Sequence, residues 1–395
     1  MSRRPPLAFI FTITLTGILN NTLVTPAIPD ILAEFGVPDQ KAGMLVAAGS
    51  VAGIAIAPLI GVLADRFGRR LVLTTCLGLF GTFGGVAALA PSFTILLWSR
   101  VLQGVGSAGL INLAVVLIGD HWDGATRTRL VGRNSAILTV GLASLPLLSG
   151  TVTEAAGWRV TFAIYTIALL MAVVTMVVLD ETRPANPPPI RQQLGGAGQV
   201  VRQPEVTVTF VIGFVVFIMI FGLLLTVFPL HLEQRFGMSA ATRGLMISVP
   251  AITSSLAAFN LGRIRAHLSP RTIVISGSVI FISAFLVLGA STVVLFTVLG
   301  ALLYGCSEGM FIPTIQDLAM ATSPNEHRGA VVAVWVGAAR LGQTIGPLLA
   351  GLALAIWSPG MTLMVGSALA GIILLIGLFG PVSRSTTPAA EGRGR

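Results

Sequence analysis

The stretch GVLADRFGRR, Gly61 to Arg70, places three arginines and one aspartate inside a chain that is otherwise almost uncharged. Of the 395 residues, 54% are hydrophobic and 10% are charged, whereas a soluble domain carries roughly 25% charged residues. The mean hydropathy is +0.91. This composition indicates a membrane protein in which charge is confined to particular places.

Apolar runs long enough to cross a bilayer recur along the whole chain, since a transmembrane helix needs roughly 20 mostly apolar residues. Helices are favoured because loops could not satisfy their backbone amides in lipid. The sequence predicts an all-α membrane protein of twelve transmembrane helices in two six-helix repeats. The predicted spans are 7–28, 41–63, 71–90, 93–118, 130–153, 160–179, 206–230, 243–262, 272–290, 293–318, 330–356 and 361–380. No room is left for a soluble catalytic domain, so we expect no enzyme.

The positive charges indicate the orientation of the chain. The net charge of +9 could suggest nucleic-acid binding, but threading the spans from a cytoplasmic N-terminus puts 18 of the 24 lysines and arginines on the inner side. This is the positive-inside bias. We therefore expect a lipid bilayer and no nucleic acid as partner, and both termini in the cytoplasm.

A single shift of 201 positions relates the two halves of the chain, pairing Gly61 with Gly262, Arg70 with Arg271 and Pro146 with Pro347. We predict an N-terminal bundle at 1–180, a Pro- and Gly-rich cytoplasmic linker at 181–205 and a C-terminal bundle with a short tail at 206–395. Two repeats of parallel orientation are typical of a transporter whose substrate path lies at the repeat interface.

With this architecture, GVLADRFGRR resembles the Gly-x-Leu-Ala-Asp-Arg-x-Gly-Arg-Arg signature of the major facilitator superfamily, between its second and third helices. Further similarity lies in RVLQGVGSAG from Arg100, GWRVTF from Gly157 and RLGQTIGPLLAG from Arg340. The arrangement is most similar to the twelve-helix drug:proton antiporters. Leu145-Pro146 and Ser149-Gly150 depart from the glycine pattern of the fifth helix that is linked with antiport.

The resemblance implies a set of gating residues. Asp65 would face the N-terminus of the eleventh helix near Gly329 to Val332, and Arg69 would pair with Asp120. Glycines and prolines of the fifth and eleventh helices would permit close approach and bending. The predicted gating residues are Gly61, Asp65, Arg66, Gly68, Arg69, Asp120, Gly141, Pro146, Gly150, Gly342, Gly346, Pro347 and Gly351.

Ionisable residues inside the membrane are costly and mark functional sites by default. Glu308 falls near the centre of the tenth span, Arg100 in the fourth and Arg340 in the eleventh. Burial favours the protonated form of a carboxyl group and a nearby cation favours the ionised form, so Glu308 would be able to take up and release a proton. The alternatives are a fixed ion pair with Arg340 and recognition of a cationic substrate. Arg100 and Arg340 are the other predicted proton-coupling residues, and structural pairing of Arg100 with backbone carbonyls stays open.

Other polar and aromatic side chains on the cavity-forming helices are hypotheses for substrate binding, or equally for interhelical contacts. The predicted substrate-binding residues are Asn20, Asn21, Gln103, Asn112, Phe221, Glu308 and Gln316.

The sequence thus favours a monomeric secondary transporter of a bacterial cytoplasmic membrane, working by alternating access and exporting small amphipathic or lipophilic compounds against protons. An importer of a metabolite or organic anion is the alternative, and a sensor or scaffold on a transporter fold is a third hypothesis. Cys76 and Cys306 indicate neither a disulfide nor a metal site. We predict no catalytic residue, metal or cofactor.

Overall fold

The computed structural model describes residues 4–181, 204–321 and 328–382 of the chain, and within these ranges the chain forms helices and no strand. Eleven helices are long and apolar enough to cross a membrane by length and composition, and a further one, Arg328–Leu354, occupies the remaining predicted span. The helices are α1 Leu7–Glu34, α2 Asp39–Phe67, α3 Arg69–Ala88, α4 Phe93–His121, α5 Gly124–Ala156, α6 Trp158–Val178, α7 Val206–Phe236, α8 Ala240–His267, α9 Pro270–Ala290, α10 Val294–Ala319, α11 Arg328–Leu354 and α12 Pro359–Phe379. The predicted all-α membrane fold is confirmed.

The connections that the structure describes are short and reverse the chain between successive helices, so the helix ends fall on two faces. We call the face with the Gly61–Arg70 loop the signature face, and the other the opposite face. Gly68 alone separates α2 from α3, with a φ of 98°, and Gly157 alone separates α5 from α6, with a φ of 83°. Both lie in the conformational region that glycine adopts without steric cost.

Two membrane helices are irregular. In α1 a 3-10 turn at Thr25–Ala27 precedes Ile28–Glu34, and the segment contains Pro26 and Pro29, which cannot donate backbone hydrogen bonds. In α7 a π-helix runs over Met219–Val227. Such irregularities frequently mark functional sites.

Each half of the chain has its own hydrophobic core. One core gathers buried side chains of α1 to α6, with Leu230 of α7 in addition, and a second gathers those of α7 to α12. We call α1 to α6 the first half and α7 to α12 the second half. The predicted linker falls almost entirely on 182–203 and the predicted tail on 383–395, both outside the described residues.

The contacts between the halves pair α2 with α11 and α5 with α8. These pairs are related by the repeat of the sequence, since α2 corresponds to α8 and α5 to α11. The halves therefore meet along two equivalent seams.

Candidate functional site: polar residues inside the helices and between the halves

Arg100 is the centre of a polar network inside the first half, and its exposure is 0%. Its Nη1 donates to Gln103 Oε1 at 2.7 Å and to the Tyr165 hydroxyl at 3.4 Å, and its Nη2 donates to the Asn20 carbonyl at 2.5 Å. Asn20 in turn donates from Nδ2 to the Gly49 carbonyl at 2.7 Å. The network joins α1, α2, α4 and α6.

Among the described residues, no acid pairs with Arg100. Its guanidinium carbon instead lies 5.9 Å from the ring centre of Phe162 and 5.7 Å from that of Tyr165, close enough for cation–π attraction. The cation is thus held by neutral groups. The structure brings the predicted residues Arg100, Gln103 and Asn20 together, whereas Tyr165 was missed; its signal is a hydroxyl within an apolar span, which needs a partner when buried.

Glu308 lies on α10, where that helix packs against α8. Its carboxyl group hydrogen-bonds to the Ser254 side chain, and Glu308 is partly buried. The two helices touch closely here, because Thr253 Oγ1 donates to the Leu302 carbonyl at 2.7 Å and Gly309 lies against the Ser254 backbone. Sequence reasoning missed Ser254, one of several small polar residues in α8.

The guanidinium of Arg340 extends from α11 to the first half. Its Nη2 donates to the Ala108 carbonyl of α4 at 3.3 Å and its Nη1 to Gln343 Oε1 at 3.4 Å. A Cβ placed on Gly53 of α2 would lie 3.3 Å from Nη1. Within the described ranges no ion pair joins Arg340 to Glu308, so the alternative of a fixed pair is not formed in this conformation.

The remaining predicted polar residues differ in their surroundings. Asn21 is partly buried, and its Oδ1 is sealed from solvent without a hydrogen-bond partner. Asn112 on α4 and Gln316 on α10 are exposed. Among the described residues, no hydrogen bond joins Asn21, Asn112 or Gln316 to Glu308 or Arg340.

Phe221 belongs to an aromatic group of the second half. Its ring centre is 6.3 Å from that of Phe217, which is 6.2 Å from that of Trp335 on α11. Trp335 packs over Gly213 of α7, where a Cβ would meet the indole ring at 2.5 Å. Trp335 was not predicted, since a tryptophan in an apolar span is equally typical of a lipid contact.

On the signature face, Arg69 binds two acids of the first half. Its Nη1 lies 2.6 Å from Asp65 Oδ1 and its Nε lies 3.0 Å from Asp120 Oδ2. Glu181, just after α6, lies directly over Gly68, so a side chain at position 68 would collide with the carboxyl group. The charged signature thus forms one cluster at the ends of α2, α3, α4 and α6.

The helix ends beside this cluster are loosely packed in the described part of the chain. Gly61 and Arg66 are exposed, and a Cβ on Gly61 or on its repeat equivalent Gly262 would meet no atom within 4 Å. The expected contact of Asp65 with Gly329 to Val332 falls largely on side chains outside the described part of the chain.

On the opposite face the halves touch through backbone. Gly244 of α8 lies against the Pro146 carbonyl of α5, and Gly43 of α2 lies against the Pro347 carbonyl of α11, each with no room for a Cβ. The shift of 201 positions converts one contact into the other. Two smaller contacts extend the seams, because Gly150 packs on Ala240 and Gly351 on Gln40.

The other predicted gating glycines pack inside their own half. A Cβ on Gly141 of α5 would meet the Ile18 and Leu15 side chains of α1. Gly342 and Gly346 of α11 lie against α7. A Cβ on Gly342 would lie 2.6 Å from Phe217 Cβ, and a Cβ on Gly346 would lie 2.8 Å from Ile218 Cα. The structure therefore separates inter-half glycines from glycines that fit the helices of one half together.

Polar contacts reinforce the closed opposite face. Arg243 of α8, with 3% exposure, forms an ion pair with Asp30 of α1 and donates from Nε to the Pro26 carbonyl at 3.0 Å and from Nη1 to the Met238 carbonyl at 2.9 Å. The irregular turn in α1 supplies the Pro26 carbonyl. Arg243 is not among the residues that the sequence predicted for a site.

Two more acids of the first half face donors of the second. Glu154 at the end of α5 accepts from the Ala241 amide at the N-terminus of α8 at 2.9 Å, and Asp39 accepts from Gln234. A carboxylate is favourable at a helix N-terminus because of the helix dipole. Across the opposite face, therefore, first-half acids meet second-half donors at three places.

Similarity to known proteins extends over almost the whole chain. The profile of the Major Facilitator Superfamily matches residues 10–244 and 210–395. The chain is 24% identical to the bacillibactin exporter of Bacillus subtilis (strain 168), over 85% of this chain and 86% of that protein. It is 27% identical to the class D tetracycline resistance protein of Salmonella ordonez, over 94% and 96%.

Among solved structures, a bacterial homologue of the human lysosomal transporter Spinster, in an inward-facing and occupied conformation, has a TM-score of 0.75 with 18% identity, over 95% of this chain and 93% of that one. This likeness shows the fold. The relatives include drug-efflux proteins, so the chain is a multi-pass membrane transporter with efflux homologues. By the profile match to both of its halves, the chain belongs to the Major Facilitator Superfamily.

Proposed function

We propose that the chain is a proton-coupled exporter of small amphipathic compounds that works by alternating access. The observation that carries this proposal is the uneven contact between the halves. They touch at Gly244 and Pro146 and at Gly43 and Pro347 on the opposite face, while Gly61 and Gly262 on the signature face have open space.

Such a conformation admits a substrate from one side. The two seams are equivalent by the sequence repeat, so rocking one half on the other would open both together. Arg69, Asp65 and Asp120 would then meet the second half as the signature face closes, which makes the charged loop the gate of that face.

Glu308 supports the proton coupling. It is the one carboxyl group of the described residues near the middle of a membrane helix, and its bond is to Ser254 rather than to a cation. A carboxyl group with a neutral partner can exist in both protonation states, since neither state leaves an unpaired counter-ion. We assign proton uptake and release to Glu308 on this basis.

The named relatives support export as the direction of transport, and the distribution of charge supports the orientation in the membrane. Named relatives are exporters and resistance proteins, and the arginine-rich signature face suits the cytoplasmic side. We therefore place the protein in a bacterial cytoplasmic membrane with the signature face inside.

The test is transport of a fluorescent amphipathic dye in proteoliposomes with an imposed pH gradient of either sign. We expect dye to move against its own gradient when protons flow the other way, and we expect Glu308→Gln to abolish this accumulation while downhill exchange continues. Asp123→Asn is the control, because Asp123 is an exposed acid whose side chain does not cap α5.

Dye accumulation that ignores the pH gradient would contradict proton coupling. Accumulation in the same direction as proton flow would favour the alternative of proton-coupled import. Normal accumulation by Glu308→Gln would remove the role assigned to that residue.

A further inference from the structure

Two arginines of the membrane helices, Arg100 and Arg340, share the local pattern Arg-x-x-Gln. Arg100 is followed by Gln103 on α4, and Arg340 by Gln343 on α11, and in each pair the guanidinium donates to the glutamine three residues on. Their environments nevertheless differ, and the difference indicates what each can bind.

Arg100 is sealed inside the first half and held by short hydrogen bonds. Its exposure is 0%, its hydrogen bonds to Gln103 and Asn20 measure 2.7 and 2.5 Å, and two aromatic rings flank the cation. A ligand would have to open the first half to reach it. Arg100 is thus part of the internal structure of that half.

Arg340 is neither saturated nor sealed. Its side chain is partly exposed, and its hydrogen bonds to Ala108 and Gln343 are long, at 3.3 and 3.4 Å. A guanidinium group has five N–H donors, so donors remain for a ligand. Among the described residues, Arg100 Nε is buried and lacks a hydrogen-bond partner, and no nitrogen of Arg340 is buried in this way.

Nothing in the described residues neutralises Arg340. The ion pairs of these residues involve Arg69, Arg159, Arg243 and Arg265, and the mid-membrane acid Glu308 bonds to Ser254 instead. A cation at this depth is costly without a partner. An anionic ligand would remove that cost.

The fold itself does not require a cation at this position. The repeat equivalent of Arg340 is Thr139 of α5, whose hydroxyl bonds to the Ser135 carbonyl of its own helix at 3.0 Å. Helix α5 makes the corresponding seam with α8 with a threonine at the position of Arg340. Arg340 is therefore an addition to the second half.

We propose that Arg340 recognises an acidic group of the transported compound, so that the cargo is an amphipathic organic acid bearing a carboxylate, sulfonate or ionised phenol. Arginine binds such planar anions through two parallel hydrogen bonds. This inference rests on the proposed function, since it names the class of compound that is exported.

The position of Arg340 also connects binding to the movement of the halves. The arginine belongs to the second half, whereas Ala108 and Gly53 belong to the first. An anion that takes the guanidinium would replace this weak contact between halves. Cargo would thereby alter the contact between the halves at Ala108 and Gly53.

The test uses purified full-length protein in detergent and three probes with one fluorophore: pyrenebutyrate, its neutral methyl ester, and the cationic pyrenebutyl-trimethylammonium. Binding is measured by fluorescence titration and by the shift of the thermal unfolding midpoint. We expect the acid to bind most tightly to the wild type. Arg340→Gln should weaken acid binding about tenfold or more and leave ester binding within about twofold. Arg340→Lys should recover part of the affinity for the acid.

Equal loss of acid and ester binding in Arg340→Gln would overturn the proposal, because it would indicate a structural role. So would tighter binding of the ammonium probe than of the acid to the wild type. Proteoliposomes separate this proposal from the proposed function. If the acid binds in an Arg340-dependent way but no probe is transported under either pH gradient, the proposed export is wrong and the acid site stands. If the cation is exported and Arg340→Gln does not change this export, the acid site is wrong and the proposed export stands.

Discussion

Gly244 packs directly on the backbone carbonyl of Pro146, with no space for a side chain between α8 and α5. The sequence repeat reproduces this relationship at Gly43 and Pro347, so the opposite face is closed by two equivalent contacts. The closed face therefore depends on glycine at two positions 201 residues apart.

The first prediction concerns these glycines. Gly244→Val forces α5 and α8 apart, and overpacking of this kind costs about 1–3 kcal/mol, or roughly a five- to 150-fold shift between two states. We expect the opposite face to open. Spin labels at the exposed residues Ala33 and Arg235, after replacement of Cys76 and Cys306 by serine, should report a longer distance across that face.

Gly43→Val should act in the same direction, since it disturbs the equivalent seam. Gly78→Val on α3 is the matched control, because a Cβ there meets no atom within 4 Å. An unchanged label distance in Gly244→Val, with folded protein, would show that the contact does not hold the face closed.

The second prediction concerns Arg243, which ties α8 to α1. Arg243→Gln loses the ion pair with Asp30 and the bond to the Pro26 carbonyl, whereas Asp30→Asn loses only the charge of one partner. We therefore expect Arg243→Gln to open the opposite face more than Asp30→Asn does. The difference arises because the arginine contacts two groups of α1, whereas the aspartate contributes one of these contacts. The measurement is the distance between the spin labels at Ala33 and Arg235.

The control for this prediction is the pair of Arg265 and Asp317, which joins α8 to α10 within the second half. Arg265→Gln should leave the label distance unchanged. Should Arg265→Gln and Arg243→Gln open the face equally, general destabilisation would explain both.

The third prediction concerns the signature loop. Arg69 holds Asp65 and Asp120 together, so Arg69→Ala removes the cation that bridges the two carboxylates. We expect Asp65→Asn and Arg69→Ala to lower the transport rate about tenfold or more, with normal membrane insertion, because closure of the signature face would lose its charged contacts. Initial rates in proteoliposomes at matched protein content are the measurement.

Arg70→Ala is the control for the loop, since Arg70 has no ion pair among the described residues and its charge is equally close to the membrane. A wild-type rate in both Asp65→Asn and Arg69→Ala would restrict the loop to a role in membrane topology.

Much of the fold follows from the sequence alone, because helix length and hydropathy in a bilayer leave few alternatives. The repeat shift also predicted that α5 and α11 are equivalent. It could not predict that Pro146 and Pro347 face the other half while Gly141, Gly342 and Gly346 face their own, since that distinction depends on helix rotation.

The site was less accessible to sequence reasoning. Arg100 and Arg340 are each followed by a glutamine three positions later. Arg100 nevertheless packs between Tyr165 and Phe162, whereas Arg340 reaches across the interface between the halves. Burial and partners come from tertiary packing, which the local pattern does not contain. Arg243 was missed for the same reason, because its partner Asp30 is distant in the chain.

The fourth prediction compares the only two tyrosines of the chain. The Tyr165 hydroxyl donates toward the Leu19 and Asn20 carbonyls at 3.3 and 3.2 Å and accepts from Arg100, whereas the Tyr304 hydroxyl, at 0% exposure, has no partner in the described part of the chain. A hydrogen bond contributes about 1 kcal/mol, and an unsatisfied buried hydroxyl costs about 1–3 kcal/mol. Tyr165→Phe should therefore lower the thermal unfolding midpoint of the purified protein, and Tyr304→Phe should keep or raise it. Equal destabilisation by both would mean that the Tyr304 hydroxyl does have a partner, and Glu308, one helical turn away on α10, would be the residue to mutate next.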